Sequence, residues 1–138
     1  MAAKDFFHND VKNALINDGW TVTHDPLKIN VLGIKQSIDF GAEKIIAAEK
    51  GTQKIAVEVK SFLEDNFIYA FYNALGQFTS YRINLRKVEK DRIVFLAVPQ
   101  KVFETYFQIE AIQETIEECQ VKIIVFEPET KQIIQWIH

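Results

Sequence analysis

The sequence has a single cysteine, Cys119, so no internal disulfide can staple it. Glu117 and Glu118 stand beside it, and nearby negative charge disfavours a thiolate. Cys119 is therefore read as a structural thiol and not a nucleophile. A lone thiol fits a reducing compartment. No apolar run approaches the roughly 20 residues of a membrane span. The opening residues, Met1-Ala-Ala-Lys-Asp-Phe-Phe-His8, bring an acid at once and no long apolar region, unlike a secretion signal. Cytoplasmic residence without a membrane is the expectation. A basic excess is lacking too. Sixteen Lys and Arg against 19 Asp and Glu leave a net charge of −3. That excludes a broad non-specific nucleic-acid coat, though not a local basic groove. His8, His24 and His138 show no metal-ligand spacing. The glycines form no nucleotide-binding loop.

What is present is an ordinary globular composition: 138 residues, 48% hydrophobic and 25% charged. That is enough for one domain over residues 1–138 and too little for two. Phe7, Val11, Ala14 and Leu15 follow helical spacing, with Asp5 as the expected N-cap and Gly19 as the stop. Trp20 to His24 alternates as a strand and Asp25-Pro26 ends it. Lys28 to Leu32 reads as a short strand turning at Gly33, and Gln36 to Phe40 as another. Lys44 to Lys50 is read as a strand in hairpin with the one that follows Gly51-Thr52-Gln53. Asn66 to Asn84 is a long aromatic helix with Phe67, Ala70, Phe71, Ala74, Leu75 and Phe78 on one stripe. Tyr69, Phe71 and Tyr72 are taken as packing, and Lys87 to Arg92 as a solvated connection. Arg92 to Val98 is a strand covered on both sides, ended by Pro99. Helices near Val102–Phe107 and Glu110–Glu118 follow. A buried strand over Val121–Phe126 and an edge strand over Ile133–Ile137 close a mixed α/β domain.

The chemistry concentrates in Ile55-Ala-Val-Glu-Val-Lys60. In a strand Glu58 and Lys60 point one way and Val57 and Val59 the other. Charged groups in an apolar strand pair, bind a metal or act in chemistry. Alone, Glu-x-Lys equally describes a cross-strand ion pair worth little. Asp39 upstream adds a second acid and makes a hard-cation site. Magnesium needs only one or two carboxylates, here Asp39 and Glu58, with the Val59 backbone carbonyl as a third oxygen. Mg²⁺, or Mn²⁺, would serve phosphodiester hydrolysis, with Lys60 orienting water or stabilising charge on the phosphate. Asp10, which edges the first helix, and Glu43 and Glu49 are secondary candidates for the same site.

Asp39, then Glu58-Val59-Lys60, then a long helix resembles the PD-(D/E)xK nuclease superfamily. Its restriction-endonuclease-like core (αβββαβ) implies a mixed central sheet flanked by helices. Gln77-Phe-Thr-Ser-Tyr81 resembles the Q-x-x-x-Y motif of some branches, which implies DNA-backbone contacts from Gln77 and Tyr81. Ile38 stands where that pattern has proline, and the interval from Asp39 to Glu58 is longer than in compact members. Across nearly the whole chain, His8 to Leu15, Asp18 to Pro26, Ala47 to Lys50, Lys54 to Phe62 and Ala74 to Phe78 resemble the cyanobacterial XisH proteins. That family is named for control of excision of the fdxN element, a DNA segment removed by site-specific recombination during heterocyst differentiation. The resemblance implies DNA, a XisI-like protein and a site-specific recombinase as partners. A homo-oligomer is compatible with it. Two readings stay open: a metal-dependent endodeoxyribonuclease, and a non-catalytic regulator that recruits XisI or the recombinase to DNA.

Overall fold

A computed structural model describes residues 5–47, 51–63 and 65–138. The first helix, α1 (His8–Asn17), buries Val11, Ala14 and Leu15. It starts later than the sequence suggests. Phe7 takes the N-cap position with no side-chain cap, while the Asp5 carboxylate accepts the Phe7 N–H at 3.0 Å. The helix ends as the glycine predicts. Gly19 adopts φ +92°, its N–H donates to the Ile16 carbonyl, and the Trp20 N–H donates to that of Leu15. Only glycine takes this left-handed turn cheaply, and it folds Trp20 back onto Leu15 in the core.

Strands β1 (Thr21–His24), β2 (Leu27–Val31), β3 (Ile34–Ile38), β4 (Phe40–Ala47) and β5 (Gly51–Val59) follow. They are not one continuous meander. β2 and β3 pair only with each other, and β1 pairs antiparallel with β4. The cause is visible in the burial pattern. Leu27, Ile29 and Val31 alternate with exposed Lys28 and Asn30, so the hairpin turns its apolar face onto the core as a small layer of its own. β4 and β5 form the expected antiparallel hairpin, though Glu49 lies outside the described residues.

Helix α2 (Phe67–Val88) runs a turn past the expected end. Asn66 caps it by accepting the Tyr69 N–H at 3.2 Å. Its inward stripe of Phe71, Ala74, Phe78, Tyr81 and Leu85 is buried. Tyr69 and Tyr72 are not packing residues: they are exposed on the opposite side, while Phe71 is buried. α2 crosses to β6 (Arg92–Pro99), which lies parallel to β5. α3 (Gln100–Tyr106) and α4 (Glu110–Glu118) cross to the parallel β7 (Ile123–Glu127), and antiparallel β8 (Gln132–Ile137) completes the sheet. Arg92 is not part of a solvated connection. It is buried, bonded to the Ile55 carbonyl at 3.0 Å and to Glu89 at 2.8 Å.

The main sheet has the order β1-β4-β5-β6-β7-β8. With the β2–β3 hairpin set aside, α1-β1-β4-β5-α2-β6 is the αβββαβ order of a restriction-endonuclease-like core. β5 lies near the middle and feeds both cores. Ala56 faces the layer of α2, α4 and the hairpin. Ile55, Val57 and Val59 face α1 and Trp20. Among the described residues no helix is long and apolar enough to cross a membrane.

Candidate active site

The end of β5 is where the chain departs from regular pairing. The β4 ladder with β5 begins at Phe40 opposite Val57, so Val59 runs past the end of β4. Asp39 occupies the bend between β3 and β4, where the chain leaves the small sheet and joins the large one. Its N–H has no ladder partner and donates to Glu58 Oε1 at 3.2 Å. Its own Oδ2 accepts the Val59 N–H at 2.7 Å. The two acids are thus clasped through backbone N–H groups, Glu58 by that of Asp39 and Asp39 by that of Val59, the next residue along β5. The Lys60 N–H turns the other way, to the Ala97 carbonyl at 3.0 Å. A strand residue presents its N–H and C=O to the same side, so the Val59 carbonyl projects on the Asp39 side of β5.

The clasp leaves one oxygen of each acid uncommitted to backbone. Glu58 Oε2 lies 3.9 Å from Lys60 Nζ. Asp39 Oδ1 lies 3.6 Å from His8 Nδ1. Burial and the neighbouring Asp39 charge push Glu58 up to about 8, with Lys60 pulling the other way. Tyr81 is a buried neighbour of both acids. Burial and the negative charge of both acids hold its phenol well above the ordinary tyrosine value. α2 runs antiparallel to β5, so Gln77 stands one turn, about 6 Å, from Tyr81 toward the Lys60 end. Its Oε1 is buried without a hydrogen-bond partner.

Asp39, Glu58, Val59, Lys60 and Tyr81 therefore come together. Asp10 and Glu43 do not join them. Asp10 pairs with Lys131 at 3.6 Å, on the flank of α1. Glu43 lies three residues along β4 and pairs with Arg92 at 3.4 Å. Two side chains that the sequence did not single out complete the surroundings. His8 is buried against Phe40, and its Nε2 is 3.0 Å from Asp25. The available signal was helical position: His8 shares the buried face of Val11 and Leu15.

The donor set fits a hard divalent cation. Two acids forced together in a desolvated corner, one of them holding a proton near neutrality, have the charge that such an ion neutralises. Among the described residues no three His, Cys, Asp or Glu side chains form a ready-made metal cluster. An ion here would rely on carboxylates, a backbone carbonyl and water, as magnesium does.

Two crystal structures superpose on nearly the whole chain. One is of an XisH family protein from Nostoc punctiforme PCC 73102, with a TM-score of 0.89 and 44% identity, covering 97% of this chain and all of that one. The other is of a fdxN element excision controlling factor protein from Anabaena variabilis, with a TM-score of 0.89 and 48% identity, covering 98% of this chain and all of that one. No curated protein matches the chain. The family model described as XisH protein matches residues 1–134. On this agreement of sequence and fold, the chain belongs to the XisH family.

Proposed function

We propose that this chain acts in excision of a DNA element, as the name of its Anabaena variabilis relative states for that protein, and that it does so as a metal-dependent nuclease. The observation that carries the reading is the clasp of Asp39 and Glu58 at the end of β5, with Lys60 beside it. Asp39, Glu58 and the Val59 carbonyl would hold Mg²⁺ or Mn²⁺. When bound, such an ion neutralises phosphate charge and acidifies water. The remaining work falls to side chains of this protein. Lys60 orients the attacking water and stabilises charge on the phosphate. The Tyr81 phenol, whose proton is held tightly beside both acids, stays neutral. Gln77 and Tyr81 contact the DNA backbone, the Gln77 amide N–H group and the Tyr81 hydroxyl being the donors a phosphate needs.

A second reading, a non-catalytic regulator that recruits a XisI-like protein or a recombinase to DNA, draws on the net charge of −3. Plasmid nicking separates the two. Wild type, Glu58→Ala and an EDTA control are incubated with Mg²⁺ or Mn²⁺, with and without a XisI-like protein. The nuclease reading expects nicking that EDTA abolishes and Glu58→Ala lowers by about 10²–10³-fold. No cleavage by folded wild type under any condition, with the XisI-like protein still bound, would establish the regulator instead.

A further inference from the structure

Beside the Asp39–Glu58 clasp lies a second arrangement that the nuclease reading leaves unused. His8 is 4% exposed. Its ring is fixed on three sides. Phe40 lies against it, with centroids 4.3 Å apart. α1 is tied to the strand end by Asp5, whose Oδ2 accepts both the Ser61 N–H at 3.0 Å and the Ser61 hydroxyl at 3.1 Å. Nε2 meets Asp25 Oδ1 at 3.0 Å, and Lys12 holds the other Asp25 oxygen at 3.0 Å.

A carboxylate only accepts, so Nε2 carries the proton in that bond. Nδ1 is the ring nitrogen that Asp25 does not engage. This nitrogen is buried with no hydrogen-bond partner. It faces Asp39 Oδ1 at 3.6 Å, beyond hydrogen-bond distance. A buried ring nitrogen with no hydrogen-bond partner, set against a carboxylate oxygen at this separation, matches one edge of a cation's coordination shell. Ligands about 2.1 Å from one ion stand roughly 3–4 Å apart, and this pair does. The outer carboxylate on the far ring nitrogen is the usual support of a metal-bound histidine.

We propose that His8, oriented by Asp25, is a nitrogen ligand at the Asp39 end of the site, which therefore prefers an imidazole-accepting divalent cation over Mg²⁺. The proposal rests on the cation-dependent reading of the Asp39 site and deepens it. Oxygen-only sites suit magnesium, and one imidazole shifts the preference toward zinc, cobalt and similar ions, with manganese between them. As it stands the edge is two-membered, since no three such side chains converge among the described residues.

The test is calorimetric titration of the full chain with MnCl₂, ZnCl₂ and MgCl₂ in the absence of DNA. Wild type is expected to bind Zn²⁺ and Mn²⁺ at least about tenfold tighter than Mg²⁺. His8→Asn should lose about 10–100-fold for Zn²⁺ and less for Mn²⁺, and Asp25→Asn about tenfold for Zn²⁺, with Mg²⁺ nearly unchanged in both. A merely structural role would weaken all three ions alike, and that result overturns the proposal. Should either variant fold poorly, nitrogen NMR of wild type decides, because only three histidines need assignment. Zn²⁺ should move the His8 Nδ1 resonance and leave Nε2 protonated. An unmoved Nδ1 at saturation refutes the ligand role. Wild type that binds Mg²⁺ with no preference removes only this proposal. Wild type that binds no divalent cation removes the metal-dependent nuclease as well.

Discussion

Replacing Glu58 with glutamine should stabilise the metal-free protein at alkaline pH and leave it nearly unchanged at acid pH. Glu58 is buried, and burial with the Asp39 charge raises it from 4.5 to about 8. The unfolded chain releases that proton near 4.5, so the folded state holds it more tightly. Stability from such a group is full below the unfolded value and is lost as pH climbs through the folded one. The window runs from about pH 4.5 to 8. About three and a half pH units at roughly 1.36 kcal/mol each set a ceiling near 5 kcal/mol. Relaxation and water penetration bring the expected difference to about 2–3 kcal/mol. Glutamine keeps the oxygen that accepts the Asp39 N–H and carries no charge. The assay is urea unfolding in EDTA at half-unit steps from pH 5 to 9, plotted as variant minus wild type so that other groups cancel. The gap should open steadily and level off above pH 8. A gap that stays flat within about 0.5 kcal/mol would refute the claim that Glu58 is charged only at a cost.

Other substitutions probe the frame around the site. Gly76→Ala should raise stability by about 0.5–1 kcal/mol in thermal melts, because it is a mid-helix glycine with no atom within 4 Å of an added Cβ. Asp5→Ala removes the acceptor for the Phe7 and Ser61 N–H groups. It should cost about 1–2 kcal/mol and loosen α1, read as faster hydrogen exchange at Ser61. Arg92→Leu strands the Ile55 carbonyl, Glu43 and Glu89 and should cost about 3 kcal/mol in urea at neutral pH.

The central strand was legible because its chemistry is local. Apolar alternation around Glu58 and Lys60 needs only a period of two, and the helical stripe from Phe71 to Leu85 needs only a period of 3.6. What escaped was set by partners distant in sequence. Arg92 looks like the end of a charged loop until the β4–β5 hairpin brings Glu43 beside it. His8 looks like an ordinary helical histidine until the turn at Asp25 and the bend at Asp39 close around its ring. Glu43 fits the acid pattern by spacing, but the register opposite Lys54 carries it along the strand and away from Glu58. The small β2–β3 sheet was hidden for the same reason. Short alternating strands state which face is apolar but not which neighbour that face will meet.

The position of β5 has a consequence for how the molecule is made. Every side chain gathered at the candidate site, from Asp5 to Tyr81, lies in the part of the chain synthesised first. The strand that flanks β5 on its other side, β6, comes later. A nascent chain that has emerged as far as α2 carries all the chemistry, yet β5 is still an open edge. The Lys60 N–H, which ends at the Ala97 carbonyl in the finished protein, then has nothing to hold it. What the second half of the sheet adds at the site is the Ala97 carbonyl, so an unfinished copy has the acids and their clasp but not the partner that fixes the backbone at Lys60.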